Sequence, residues 1–155
     1  MSLTIRRNRE RDLEPLSRLL TDEGELTLVN PNAGFPFDPL EWNEKWLGDL
    51  HDESFYILDA AGNEVGFFAL RVGAGPEIRH LTYVFVAEEA RGGAGAVMAD
   101  FVETAARDLG ALTITLKCEL DNAPALNAYL SAGYEELSRR DGMATMRLDL
   151  DGGLA

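Results

Sequence analysis

The chain has 155 residues, 46% apolar and 26% charged, and a net charge of −13. This is ordinary globular composition rather than disorder, and the length fits one domain, 1–155, able to bury a core without staples. The acidity excludes a nucleic-acid backbone as partner, because phosphate contacts need clustered cations.

In chain order, residues 3–7 read as an edge strand. Asp12 can cap a helix with Pro15 in its first turn, whose apolar face is Leu13, Leu16, Leu19 and Leu20. Residues 21–39 are rich in Gly, Pro and Asn and read as a loop. Residues 40–49 read as a short helix on which Trp42 and Trp46, four apart, are surface neighbours. Strands at 54–59 and 64–72 flank the hairpin turn 60–63, and a third strand covers 79–86. Residues 91–109 are a helix with apolar positions at 97, 98, 101, 102, 105, 106 and 109, stopped by Gly110. Residues 112, 114, 116 and 118 alternate with polar ones as a strand with one apolar face. A short helix at 122–132 ends at Gly133, and 134–139 pairs with 143–150 around Asp141-Gly142. This order predicts a mixed sheet covered by helices on both faces.

No stretch reaches the ~18 apolar residues of a membrane span, and the N-terminus lacks the apolar core of a signal peptide, which places the protein in the cytoplasm. The single cysteine, Cys118, excludes an internal disulfide and a cysteine-built metal cluster. Two histidines without HExxH spacing give no reason to expect a metal.

Residues 84–101 hold the most chemistry. A strand ends, four residues follow, and a run of small residues opens the long helix. The first N–H groups of a helix have no internal partners and stand at the positive end of its dipole. Gly92, Gly93, Ala94, Gly95 and Ala96 lack bulk, so a phosphate could approach those groups, with Arg91 beside them. The run has no Gly-Lys-Ser/Thr ending and lacks the third glycine of GxGxxG, so neither the triphosphate loop nor the dinucleotide fingerprint fits. A flexible turn allowing tight helix–sheet packing accounts for the same residues.

From Arg91 to Ala96 the chain resembles the cofactor motif of the GCN5-related N-acetyltransferase (GNAT) superfamily, Q/R-x-x-G-x-G/A at a helix start, with Ala94 where glycine is usual. A second signature, Asn122, Ala125, Tyr129 and Gly133-Tyr134, repeats the family spacing about thirty residues on. The resemblance covers roughly residues 64–150 and reaches residues 1–60 only in element order. It implies a mixed, mostly antiparallel sheet with helices on both faces and a splayed parallel strand pair. It also implies acetyl-CoA as co-substrate, with an amine attacking the thioester directly and no covalent enzyme intermediate.

On the same basis Tyr129 is the candidate general acid for the leaving thiolate. Asn122, an N-cap in any case, would also contact the pantetheine arm. Backbone groups of Val84 and Val86 would pair with that arm as an added strand does. His80 occupies the position where histone-acetylating relatives carry a catalytic glutamate, and imidazole can accept a proton near neutrality. A relayed water or Glu25 is the alternative base, and a structural histidine accounts for His80 equally.

Cys118 reads as core or rim, without the partners of thiol catalysis. Phe35, Phe37, Trp42 and Trp46 could wall an acceptor or simply cover the core. Asp22, Glu23 and Glu25 could receive a cationic amine or form a solvated acidic loop. The acceptor is a small-molecule amine or an amine of a protein or peptide. Relatives commonly dimerise through the last strand, so a homodimer is among the expectations. An acyl-CoA sensor without turnover, or an interaction subunit on the same fold, stands as the rival reading.

Overall fold

The computed structural model describes residues 2–150, apart from the side chains of residues 92–96. The elements are β1 (Thr4–Arg7), α1 (Glu14–Leu19), α2 (Glu23–Val29), α3 (Pro39–Glu41), β2 (Glu53–Leu58), β3 (Glu64–Val72), β4 (Ile78–Val86), α4 (Arg91–Asp108), β5 (Thr113–Glu119), α5 (Ala123–Ser131), β6 (Glu135–Arg140) and β7 (Met143–Asp149). A turn of π-helix (Trp42–Trp46) follows α3, and a 3-10 turn (Glu88–Ala90) precedes α4. The seven strands order as β1-β2-β3-β4-β5-β7-β6, mostly antiparallel, with β4 and β5 the parallel pair. This is the mixed, mostly antiparallel sheet with a splayed parallel pair that the resemblance implied. The chain groups into two compact units. One holds the residues up to Arg71 together with Thr82–Arg91, the other Val72–Leu81 together with the chain from Gly92 on.

In the first unit Leu13, Leu16, Leu20, Leu26 and Trp42 pack against Tyr56, Phe67, Ala69, Tyr83 and Phe85. Both faces of β2 and β3 are buried, since Phe55, Ile57, Phe68 and Leu70 are also inaccessible. The two strands therefore read as apolar runs rather than alternations. Leu13, Leu16 and Leu20 form the buried face of α1 as expected. Asp12 accepts from the Glu14 N–H at 3.0 Å, one residue outside the N-cap position.

Two expectations are corrected here. The region read as a loop, 21–39, contains α2. Its start is fixed by Asp22, whose side chain accepts from the Glu25 N–H at 2.9 Å, and Leu26 is fully buried one turn later. The Pro and Asn content that suggested a loop lies after this helix, and Gly24 stands within its first turn. Second, Trp42 and Trp46 are not surface neighbours: Trp42 is fully buried, edge-on to Tyr83 at 5.0 Å. The π-turn widens the helix there, with the Leu47 N–H donating to the Trp42 carbonyl at 2.8 Å.

In the second unit Ile114, Leu116, Cys118, Ala144 and Met146 are buried on one face of β5 and β7, as are Val102, Ala105 and Ala106 of α4. Leu112, expected as the first inward residue of that strand, is instead exposed ahead of it. Gly110 ends α4 at φ +78, a left-handed conformation that favours glycine. Asp141 and Gly142 have φ of +56 and +76, the two left-handed positions of the tight turn joining β6 to β7.

Because α2 depends on its cap, Asp22→Ala should lower stability by about 1 kcal/mol. A fall in the urea midpoint at unchanged slope would show it; an unmoved midpoint would mean Asp22 does not hold the helix start.

Candidate active site

Strand β4 alternates partly buried and buried residues from Ile78 to Val86. His80, Val84 and Val86 belong to the partly buried set, as the period of two requires. Within the strand Tyr83 has φ +54, an unfavourable conformation for a bulky side chain that persists only where its surroundings hold it. The Trp42 ring and a 3.4 Å hydrogen bond from the Arg71 guanidinium to the Tyr83 hydroxyl do so.

Following β4, the 3-10 turn carries the chain into α4. The helical path thus begins at Glu88, three residues before the expected start, and the Ala90 N–H donates to the Ala87 carbonyl at 2.9 Å. Arg91 opens α4 and is held from two directions. Its Nε donates to the Val86 carbonyl at 2.9 Å and its Nη2 to Glu25 Oε2 at 2.7 Å. That ion pair is half exposed, so it contributes modestly to stability. It nevertheless occupies three groups singled out in the sequence: the cation, a pantetheine-pairing carbonyl, and Glu25, the alternative base. The helix runs through residues 92–96. The phosphate cradle expected of Gly92, Gly93, Ala94, Gly95 and Ala96 lies outside the described residues.

The second unit carries both candidate catalytic side chains. His80 is registered with Thr115 across the parallel ladder, and its Nδ1 lies 2.9 Å from Thr115 Oγ1. For Nε2 to take a proton, Nδ1 must carry one and donate it to the threonine hydroxyl. His80 therefore sits on the Thr115 face of β5. Asn122 caps α5, its Oδ1 accepting from the Ala125 N–H at 3.4 Å.

Tyr129 lies on the other face of β5. Its ring is edge-on to Tyr134 at 5.3 Å, and Gly133, just before Tyr134, faces Leu148 on the Ile114 side of the sheet. Burial, with a smaller contribution from neighbouring Cys118, pushes the Tyr129 phenol up to about 12. Burial likewise raises the Cys118 thiol, aided by Glu119 and Asp121, which keeps it a poor nucleophile. The Tyr134 hydroxyl is buried with no hydrogen-bond partner among the described residues; no sequence pattern signals it beyond its place in the Gly-Tyr pair. Among the described residues no group of three or more His, Cys, Asp or Glu side chains could hold a metal.

A strand–helix–strand crossover with a short parallel ladder thus stands inside a mostly antiparallel sheet, and the small-residue run opens its helix. The model of the acetyltransferase (GNAT) family matches residues 18–134, and the chain belongs to that family.

Among solved structures, the spermidine N-acetyltransferase from Vibrio cholerae in complex with CoA and spermine superposes with a TM-score of 0.75. The two are 20% identical over 99% of this chain and 98% of that one. A protein provisionally named a phosphinothricin N-acetyltransferase gives 0.71 at 19% identity, over 96% and 99%. An acetyltransferase of the GNAT family from Staphylococcus aureus Mu50 gives 0.66 at 17%, over 96% and 99%. At these identities the likeness is one of fold. Among curated proteins none matches in sequence.

All four tyrosines, Tyr56, Tyr83, Tyr129 and Tyr134, are shifted upward chiefly by burial. A spectrophotometric titration of the folded protein should therefore show no phenol ionising at the ordinary value of 10, and all four doing so in denaturant. Since each folded phenol ionises later than its unfolded counterpart, its stabilising effect is complete below pH 10. For Tyr129 that effect is lost as the pH rises toward 12. A step near pH 10 in the native protein would contradict this packing.

Proposed function

We propose that the chain, as one acetyltransferase domain over residues 1–155, transfers an acetyl group from acetyl-CoA to a primary amine by direct attack. The acceptor is a small-molecule amine or an amine of a protein or peptide, and the setting is the cytoplasm. The observation that carries the reading is the β4–α4–β5 crossover: an 18-residue helix opening on the small-residue run directly after β4 and returning to a parallel β5. The family match over residues 18–134 supports it. That no helix among the described residues is long and apolar enough to cross a membrane is compatible with it.

In this reading Arg91 and the amides of Gly92, Gly93, Ala94, Gly95 and Ala96 receive the cofactor's diphosphate. Backbone groups of Val84 and Val86 align the pantetheine arm, and Asn122 contacts it. The amine nitrogen bonds to the thioester carbon, its proton passing to His80 directly or through water, while the carbon–sulfur bond breaks and the sulfur leaves as a thiolate that takes its proton from solvent. Tyr129, with its raised pKa, stays protonated at neutral pH. It serves best by donating a hydrogen bond to sulfur as charge develops there, because a buried phenoxide would be costly. Holding both reactants together supplies much of the acceleration.

Thiol release from acetyl-CoA across a panel of primary amines tests the activity. Acceptor-dependent release is expected; tight CoA binding with no release would indicate a sensor. Tyr129→Phe should lower kcat about 100-fold with little change in the CoA dissociation constant. Arg91→Ala should instead weaken CoA binding about tenfold, the size of one charge-assisted contact. Equal effects of both variants on kcat and on CoA affinity would refute this division of roles.

A further inference from the structure

We infer that the open face of β5, β6 and β7 is the seat for a carboxylate or similar anionic group on the acceptor, which makes the acceptor an amino acid or a compound of that kind. This rests on the acyl transfer proposed above. A groove of about 290 Å³ lies on this face, lined by Lys117, Ser138, Arg140, Asp141, Met143 and Thr145.

Strand register explains how these residues come together. Lys117 is directly opposite Thr145, and Thr145 opposite Ser138, while Met143 is opposite Arg140. A register shift between Glu136 and Ser138 turns Ser138 and Arg140 onto the same face as Lys117. The far side of these strands is the buried Ile114–Leu116–Met146 face, whereas Lys117, Ser138 and Arg140 on the groove side are exposed.

Two features point to an anion. First, cations here are scarce and mostly paired. The chain has 14 basic residues against 27 acidic ones, and eight arginines are in ion pairs. Lys117 and Arg140, by contrast, line one groove with no ion-pair partner among the described residues, despite Asp141 beside them. Second, the groove adds the hydroxyls of Ser138 and Thr145, which complete a donor set for an oxyanion. Thr115, the hydrogen-bond partner of His80, is two residues from Lys117 on the same face of β5. That spacing is about 7 Å along a strand. An amine at His80 and a carboxylate at Lys117 thus belong to one small molecule. The net charge of the whole chain favours cations, and this local pair reverses that preference at the groove.

The test compares amino acids with their carboxamides, for example L-methionine with L-methioninamide and 4-aminobutanoate with 4-aminobutanamide, in the full chain with acetyl-CoA. The acids should be preferred at least tenfold in kcat/KM. Lys117→Gln and Arg140→Gln should each reduce that preference about tenfold through KM, one charge-assisted contact apiece. Arg9→Gln, which removes an exposed cation that does not line the groove, should leave it intact. Equal use of acids and amides by the wild type overturns the assignment, as does a preference insensitive to both groove variants, or one for spermidine over every acid. If no amine releases thiol, the transferase reading fails by itself, and the groove is judged by NMR titration with L-methionine. Shifts at Lys117 and Thr145 that L-methioninamide does not produce support it, and their absence overturns it.

Discussion

The arrangement depends on a short parallel ladder. β4 and β5 are registered at Ile78 with Thr113, Arg79 with Ile114 and His80 with Thr115, at the beginning of each strand. Parallel neighbours cannot be joined by a hairpin, so the chain must cross over, and α4 is that crossover. The same constraint sets His80 at the last registered pair, beside the point where a continuous sheet would otherwise extend. Leu112 and Thr113 lengthen the anchoring, since both N–H groups donate to the Glu77 carbonyl, at 2.7 and 3.2 Å. The ladder is thus firmly tied at one end, and the candidate base is the last residue of the tie.

Charge is arranged with similar economy around Arg91. A helix start beside an arginine would be a strong anion site, and here a carboxylate already occupies the cation. The Glu25 contact at 2.7 Å and the Val86 contact at 2.9 Å hold the guanidinium against α2 and β4. A diphosphate carries more charge than a carboxylate and can take the guanidinium from Glu25 at small net cost, because a half-exposed pair holds its partners weakly. The contact also ties α2 to the residue that opens α4, which neither the loop-like composition of 21–39 nor the family motif indicated.

Regular periodicity made most elements legible. Residues 91–109 showed the helical period and became α4, 64–72 became β3 without change of boundary, and Asp141-Gly142 announced the terminal hairpin. What escaped was local. The Asp22 cap with Glu25 three residues later is a helix signal, but Gly24 and the Pro-rich segment behind it outweighed it. The π-turn that buries Trp42 leaves no trace in spacing, since positions 42 and 46 look like ordinary neighbours on a helix. In the site, alternation placed His80 with Val84 and Val86 correctly, and Asn122 proved to be a cap. No pattern could announce the left-handed Tyr83, the Arg91–Glu25 pair or the unpartnered Tyr134 hydroxyl, because each follows from contacts between residues far apart in sequence.

His80 and Tyr129 stand on opposite faces of β5, and this separation bears on the chemistry. In direct transfer the entering amine and the departing sulfur are both attached to one carbon, yet they need opposite proton traffic: one loses a proton as the other gains it. In the proposed transfer, groups set on two faces of a strand would meet the two substituents separately. Their surroundings differ accordingly. Thr115 gives His80 a polar partner, whereas Tyr129 has an aromatic neighbour and deep burial that keep its proton in place. The strand that separates the two groups thus gives the candidate base a polar setting and the candidate acid an apolar one, as the proposed exchange between amine and thiolate calls for.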